Sequence, residues 1–296
     1  MESKINFFDA AEANKRNSLI LLFLMFIIYL GMIFFFSDML ELGLFGVIIG
    51  VLVLVIYMGI SYYQGDKIIL SMSGAREIKE GEYPFIQNVV EGLALSCQIP
   101  KPKIYIIEDS APNAFATGNN PNKASIAITR GLLESMKKEE IEGVIAHEIS
   151  HIANYDIRFS MIAIVFAGAI AFLADLVWRG VRWSGGSSRK KNDVSAILFL
   201  IGLVFIILAP IFAELVRFAI SRQREYLADA NGARLTRYPS GLASALKKIK
   251  EFNQPTNSAN KNTAPLYFSN PFPMGFGSLF ATHPPIEERI KRLESM

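Results

Sequence analysis

Glu140-Ile-Glu-Gly-Val-Ile-Ala-His-Glu-Ile-Ser-His-Ile-Ala153 reads as a helix with an apolar stripe at Ile141, Val144, Ile145 and Ile152. It carries two of the three histidines in the 296-residue chain, His147 and His151, on either side of Glu148. Positions i and i+4 lie one helical turn apart on one face, so both imidazoles reach the same small object. Four-coordinate Zn²⁺ accepts that pair and keeps a position open for water. Glu148, next to the first histidine, is placed to take a proton from such a water and return it to a leaving amine.

Working outward, hydrophobic residues make up 51% of the chain and mean hydropathy is positive. The excess is concentrated. Ser18–Phe36 and Leu42–Tyr62 carry no charge, and each is long enough as a helix to cross the ~30 Å hydrocarbon core. Ile157–Trp178 and Val194–Val216 form a second apolar pair, charged only near the ends at Arg158, Asp175 and Glu214. The composition therefore predicts an integral membrane protein with two hydrophobic helical hairpins.

The first span exceeds a usual signal-peptide core, and no small-residue cleavage site precedes the second. Lys4, Lys15 and Arg16 precede span one while Ser37–Glu41 has no basic residue, so the positive-inside rule puts the N-terminus and the polar blocks in the cytoplasm. The second hairpin resists the rule, because its loop carries Arg179, Arg182, Arg189, Lys190 and Lys191. Either that pair dips in without crossing, or the first pair sets topology and the loop departs from the rule. The net charge of +3 calls for no nucleic-acid partner; basic residues beside spans suit an anionic lipid surface. Cys97 is alone, which agrees with a reducing cytoplasm, and its apolar run Leu93–Ile99 makes it a core residue.

The layout is then a cytoplasmic segment (1–17), a transmembrane hairpin (18–63), a first catalytic block (64–156), the second hairpin (157–216) and a second catalytic block (217–296). The two blocks are read as one split domain, α+β and mainly helical, of zincin type. Pro84–Cys97 is a helix stopped by Pro100 and Pro102. Lys103–Ile107, Ala114–Thr117 and Ala124–Thr129 are strand candidates for a small antiparallel sheet, the last alternating like a half-buried strand. An exposed edge of that sheet would hold a substrate backbone by strand addition. Val216–Leu235 reads as helix, Gln254–Leu279 as a long mobile loop that is either a lid or a plain linker, and Pro284-Pro285 as the opening of a final helix with Ile286, Ile290 and Leu293 on one face.

A catalytic zinc needs a third protein ligand, and a carboxylate is the natural candidate. Glu225-Tyr-Leu-Ala-Asp229 puts two carboxylates on one helix face, one to ligate and one to bond the far nitrogen of His147. The same spacing fits a solvated face pairing with Arg222 and Arg224, and spacing alone does not choose between them.

His147-Glu-Ile-Ser-His151, Ser221-Arg-Gln-Arg-Glu-Tyr-Leu-Ala-Asp229 and Thr282-His-Pro-Pro-Ile-Glu-Glu-Arg-Ile290 resemble, in order and spacing, the HtpX family of membrane-bound zinc metalloproteases. That family is related to the CAAX prenyl proteases and belongs to the gluzincins. Pro112-Asn-Ala-Phe-Ala-Thr-Gly118 and Thr129-Arg-Gly-Leu-Leu133 also look like family segments, so the resemblance spans essentially the whole chain. It implies one zinc per subunit held by His147, His151 and Glu225, with Glu148 as general base and Asp229 behind a ligand. It also implies that Asn113 lies at the substrate cleft and that His283 stabilises the oxyanion; in isolation these residues read equally as a turn former and a helix-entry histidine. The expected activity is cleavage of membrane or misfolded proteins at the cytoplasmic face of the bacterial inner membrane, in stress response and quality control. Its partners are then those proteins and the bilayer, with no nucleic acid. Two other functions share parts of this pattern. A CAAX-type prenyl protease shares the chemistry, although four hydrophobic segments are few for its large chamber; a non-catalytic scaffold fits less well with a complete ligand set.

Overall fold

The computed structural model describes residues 7–39, 41–166, 168, 222–252, 254–259, 263–272 and 283–296. Most of the second hydrophobic hairpin predicted over 157–216 lies outside these residues, as do 216–221 of the helix predicted after it and 260–262 and 273–279 of the predicted loop.

Helices α1 (Phe7–Met39) and α2 (Gly43–Met72) form an antiparallel pair, each long and apolar enough to cross a membrane. They turn at Glu41 and Gly43, both at positive φ, with the Leu42 amide donating to the Ser37 carbonyl at 2.9 Å. The helices touch closely at Gly50, where an added Cβ would sit 2.6 Å from Ile33 Cγ2. Leu44 and Phe45 on the outer face are more than 70% exposed, a broad apolar surface that suits lipid. Both helices run past the predicted spans at the same end of the hairpin. There they meet the helical segment 156–166, whose residues Phe159, Ile162 and Phe166 are buried with Met25, Leu54 and Ile69.

The sheet is mixed, a correction to the antiparallel expectation. Strands β1 (Arg76–Glu77), β2 (Lys103–Ile107), β3 (Ala114–Thr117) and β4 (Ser125–Thr129) lie in the order β1-β2-β4-β3. β3 and β4 make the expected hairpin, but β4 runs parallel to β2, Lys103 opposite Ser125 through Ile107 opposite Thr129. After β2 the link through Asp109 and Pro112 carries the chain one strand-width too far to pair directly, and the returning β4 fills the gap. A central strand is covered on both faces. All five β4 residues are accordingly buried, not half-buried: Ile126 and Ile128 face the catalytic core, while Ala127 faces the cluster shared with the membrane helices.

Helix α3 (Pro84–Ser96) covers the first face. Helix α4 (Arg130–Ser135) starts at β4's end, where Thr129 Oγ1 accepts the Leu132 amide. Helix α5 (Lys138–Ala153) is the motif helix; its start is closed by Glu140, whose carboxylate accepts the Lys137 amide at 2.6 Å. Around it pack α6 (Arg222–Thr236), α7 (Pro239–Glu251) and, against those two, α8 (Ile286–Glu294).

The described part of the predicted mobile loop is a packed strap. A 3₁₀ turn, Ala264–Leu266, leads into Tyr267 and Phe268, both fully buried. The Phe268 amide donates to the Ala114 carbonyl at 2.7 Å, and Tyr267 meets the Phe115 ring edge-on at 5.0 Å. Two of its aromatic residues anchor it to β3.

Candidate metal centre

Helix α5 offers His147 and His151 on one face, as the spacing requires, and their Nε2 atoms lie 3.1 Å apart. Helix α6 crosses close beside them. Gly232 makes this approach possible, since a Cβ there would sit 3.1 Å from the His147 backbone nitrogen. One and two turns earlier on that face come Asp229 and Glu225. Glu225 Oε1 stands 3.4 Å from His151 Nε2, and Oε2 stands 3.8 Å from His147 Nε2.

Tetrahedral Zn²⁺ with bonds of about 2.0–2.1 Å separates its ligand atoms by about 3.3–3.4 Å. The three observed spacings bracket that value, so the donor set fits such an ion. The groups behind the imidazoles fit it too. Asp229 Oδ1 accepts from His147 Nδ1 and Asp156 Oδ2 from His151 Nδ1, each at 2.9 Å. Carboxylates at both Nδ1 atoms leave both Nε2 lone pairs free to point at one position.

A cation bound there would displace a proton from His151, whose charged form the neighbouring carboxylates favour. Burial pushes His147 down to about 4 against the pull of Asp229, which keeps it neutral. Burial works against the charged forms of His151 and Glu225 as well. In His151 this is outweighed by Asp156 and Glu225, which raise it well above the ordinary value; in Glu225 it is outweighed by His283 and His151, which hold it well below. Buried Glu148 is pushed up to about 7, and the Ala116 amide donates to it.

His283 also reaches the site. Its Nδ1 donates to Glu225 Oε2 at 3.0 Å, and its Nε2 is buried without a partner among the described residues where it lines the cleft. Asn113 lies immediately before β3, the strand that carries Ala116 at the cleft. It is buried, and its amide brackets Ser269, donating to that carbonyl at 3.0 Å and accepting its N–H at 3.2 Å. Asn113 therefore fastens the strap beside the cleft, its side chain already used within the fold.

Two residues at the centre were assigned no role from the sequence. Arg289 on α8 is 1% exposed and forks onto Asp229, Nη2 to Oδ1 at 2.7 Å and Nε to Oδ2 at 2.8 Å. Its Nη1 donates to the Phe268 carbonyl at 2.9 Å and stands 3.7 Å from Glu225, while its plane covers the Phe268 ring. Burial would raise the Asp229 carboxyl; Arg289 and His147 overcome this and hold it at about 2. Asp156 is the other, placed against His151 because Tyr155 turns left-handed at φ 61° and starts a new helical segment. Arg222 is exposed, whereas Arg224 lies over the Phe159 ring with its Nε 3.9 Å from Asp156.

Comparison with known proteins identifies the family. The model of peptidase family M48 matches residues 82–296, which hold every residue of the donor set. A "Protease HtpX homolog" of Dictyoglomus thermophilum is 48% identical over 290 residues, covering 98% of this chain and 95% of that protein. The namesake from Thermoanaerobacter pseudethanolicus is 46% identical over 297 residues, 99% of each. Among solved structures, Ste24p of S. mikatae aligns at a TM-score of 0.44 and 22% identity, over 88% of this chain and 65% of that one. With a family match over more than two thirds of its length and relatives matched nearly end to end, the chain belongs to peptidase family M48 and is a metalloprotease.

Proposed function

We propose a zinc-dependent endopeptidase of the bacterial cytoplasmic membrane that cuts membrane or misfolded proteins at the cytoplasmic face. The observation carrying this reading is the meeting of His147, His151 and Glu225 around one point, with Glu148 on the same helix and two apolar helices joined to the same fold. Lys15 and Arg16 at the foot of α1, against a turn at residues 37–41 without basic residues, support the cytoplasmic placement.

His147, His151 and Glu225 would hold the ion, one per chain. When bound, it supplies Lewis-acid polarisation of the scissile carbonyl and of the attacking water. Glu148 takes the proton of that water and passes it to the leaving nitrogen, a role suited to a carboxyl pushed up to about 7. The substrate backbone lies along β3, the edge strand. Ala114 presents its carbonyl outward to the strap, so Ala116, two residues on, presents its carbonyl on the same edge for a substrate N–H. His283, with Nδ1 bonded to Glu225, turns its Nε2 edge to the cleft, where it would face the developing oxyanion. Asn113 acts on the substrate only through the strap it fastens.

The test is a proteomic comparison of membranes holding active protein with membranes holding Glu148→Gln, alongside zinc analysis of both. Zinc retained with cleavage lost is the expected result, and unchanged turnover in the variant would sink the mechanism. Glu225→Ala should lose the metal.

A further inference from the structure

The first membrane helix reaches the metal centre by a single side chain. Asn14 on α1 is 5% exposed, and its Nδ2 donates to Asp156 Oδ1 at 2.6 Å and to the Asn154 carbonyl at 2.9 Å. Asp156 passes that contact on, since its other oxygen accepts from His151 Nδ1 at 2.9 Å. Asn154 is the residue that ends α5, one turn past His151. One amide thus holds both the carboxylate behind a metal-facing imidazole and the end of the helix carrying it. Nearby, Lys15 Nζ sits over the Tyr155 ring at 4.2 Å, so the foot of α1 grips the whole turn 154–156.

The energetics favour a positioning role over a chance contact. An amide four residues before the apolar run Ser18–Phe36 is costly to bury unless both its hydrogens are used, and here both are. Among the described residues Asp156 meets His151, Asn14 and, at 3.9 Å, Arg224. Arg224 is too distant for a hydrogen bond, so among the described residues Asn14 supplies the bond, beside that of His151 itself, that fixes the rotation of the carboxylate about its own axis. With that rotation free, the Oδ2 that keeps His151 in the Nδ1–H tautomer loses its aim.

We propose that Asn14 is a positioning residue of the metal centre, acting through Asp156, so that metal affinity depends on how α1 is docked. This rests on the reading of His147, His151 and Glu225 as metal ligands. Its chemistry is a chain of two hydrogen bonds, Asn14 to Asp156 and His151 to Asp156, that leaves His151 Nε2 as the free donor atom.

The test is zinc affinity of the full chain in lipid nanodiscs, by competition with a chromophoric chelator. It is run in the Glu148→Gln background to prevent self-cleavage, with the melting temperature of the metal-free protein measured beside it. Asp156→Asn should weaken zinc binding about 10- to 100-fold, the usual range for a group behind a ligand. Asn14→Leu, which keeps the bulk and removes the donor, should weaken it about tenfold, the low end of that range. In the Asp156→Asn background Asn14→Leu should add less than about twofold, because its route is already cut. Asn14→Ala serves if leucine prevents folding, and should give the same tenfold loss. An Asn14 variant that melts lower but binds zinc within about twofold of its parent would make Asn14 a helix cap only and overturn the proposal. So would a tenfold loss that adds in full to that of Asp156→Asn. A parent protein that binds no zinc would instead overturn the metal reading, and the proposal with it.

Discussion

Arg289→Met should separate the stability of this fold from the tuning of its metal centre. The guanidinium forks onto Asp229 at 2.7 and 2.8 Å in a fully buried position, and the methionine keeps most of the volume. Breaking a buried pair by removing one member costs about 3–5 kcal/mol, because the other charge is left without compensation. The carboxyl points the same way, since Arg289 and His147 hold it at about 2 against the opposing effect of burial. The loss is read by chemical denaturation of the metal-free protein. Asp229 also orients His147, so zinc affinity should fall about 10- to 100-fold. The paired variant Arg289→Met with Asp229→Asn is the decisive arm. It removes both charges, so stability should return to within about 1–2 kcal/mol of the parent, while affinity stays low because an amide replaces the carboxylate behind His147. A double variant as unstable as the single one would refute the reasoning, as would Arg289→Met losing under 1 kcal/mol.

Three other measurements probe the surroundings. Gly232→Val forces branched carbons into the 3.1 Å gap beside the His147 backbone, so α5 and α6 must part; a cost of about 1–3 kcal/mol and weakened zinc binding are expected from melting and chelator competition. In Glu140, burial raises the carboxyl, but bonds from Lys248, Ser244 and the Lys137 amide outweigh it and hold the group below its ordinary value. Its contribution is therefore present above the unfolded pKa and lost as pH falls through the folded one, so the stability gap between wild type and Lys248→Met should be full at pH 7 and shrink below about pH 4. Asn113→Ala frees the strap from both backbone bonds at Ser269, and hydrogen exchange should rise across residues 264–272 with a stability loss of about 1–3 kcal/mol.

What the sequence discloses follows the range of each interaction. His147 and His151 were legible because helical spacing is local and puts the pair on one face before anything packs; the same spacing paired Glu225 with Asp229, but the family resemblance was needed to choose ligation over a solvated face. Arg289 had a signal that went unused: it lies three residues after Ile286 and beside Ile290, inside the apolar stripe of its helix, and a charge there is buried with a partner. Asp156 had none. Five residues from His151 is off the helical face, and only the left-handed turn at Tyr155 brings it back. Alternation in 124–129 marked a strand without naming its neighbours, so the parallel pairing with β2 and the double burial of β4 were out of reach. The strap was misjudged because asparagine, proline and glycine dominate its composition, while its position is set by two aromatic residues and one backbone bond to β3.

The centre is gathered from distant parts of the chain, which imposes an order in time. During synthesis the two histidines emerge first; Glu225 follows 74 positions after His151 (225 − 151) and Arg289 follows 138 positions after it (289 − 151). Throughout that interval the nascent chain carries a histidine helix without its third donor, its buried arginine or its sealed strap. Unfolded segments of the same molecule are closest to the centre then, and they meet it before it can cut. The order of residues along the chain thus keeps the histidine helix without its third donor until residue 225 has been made.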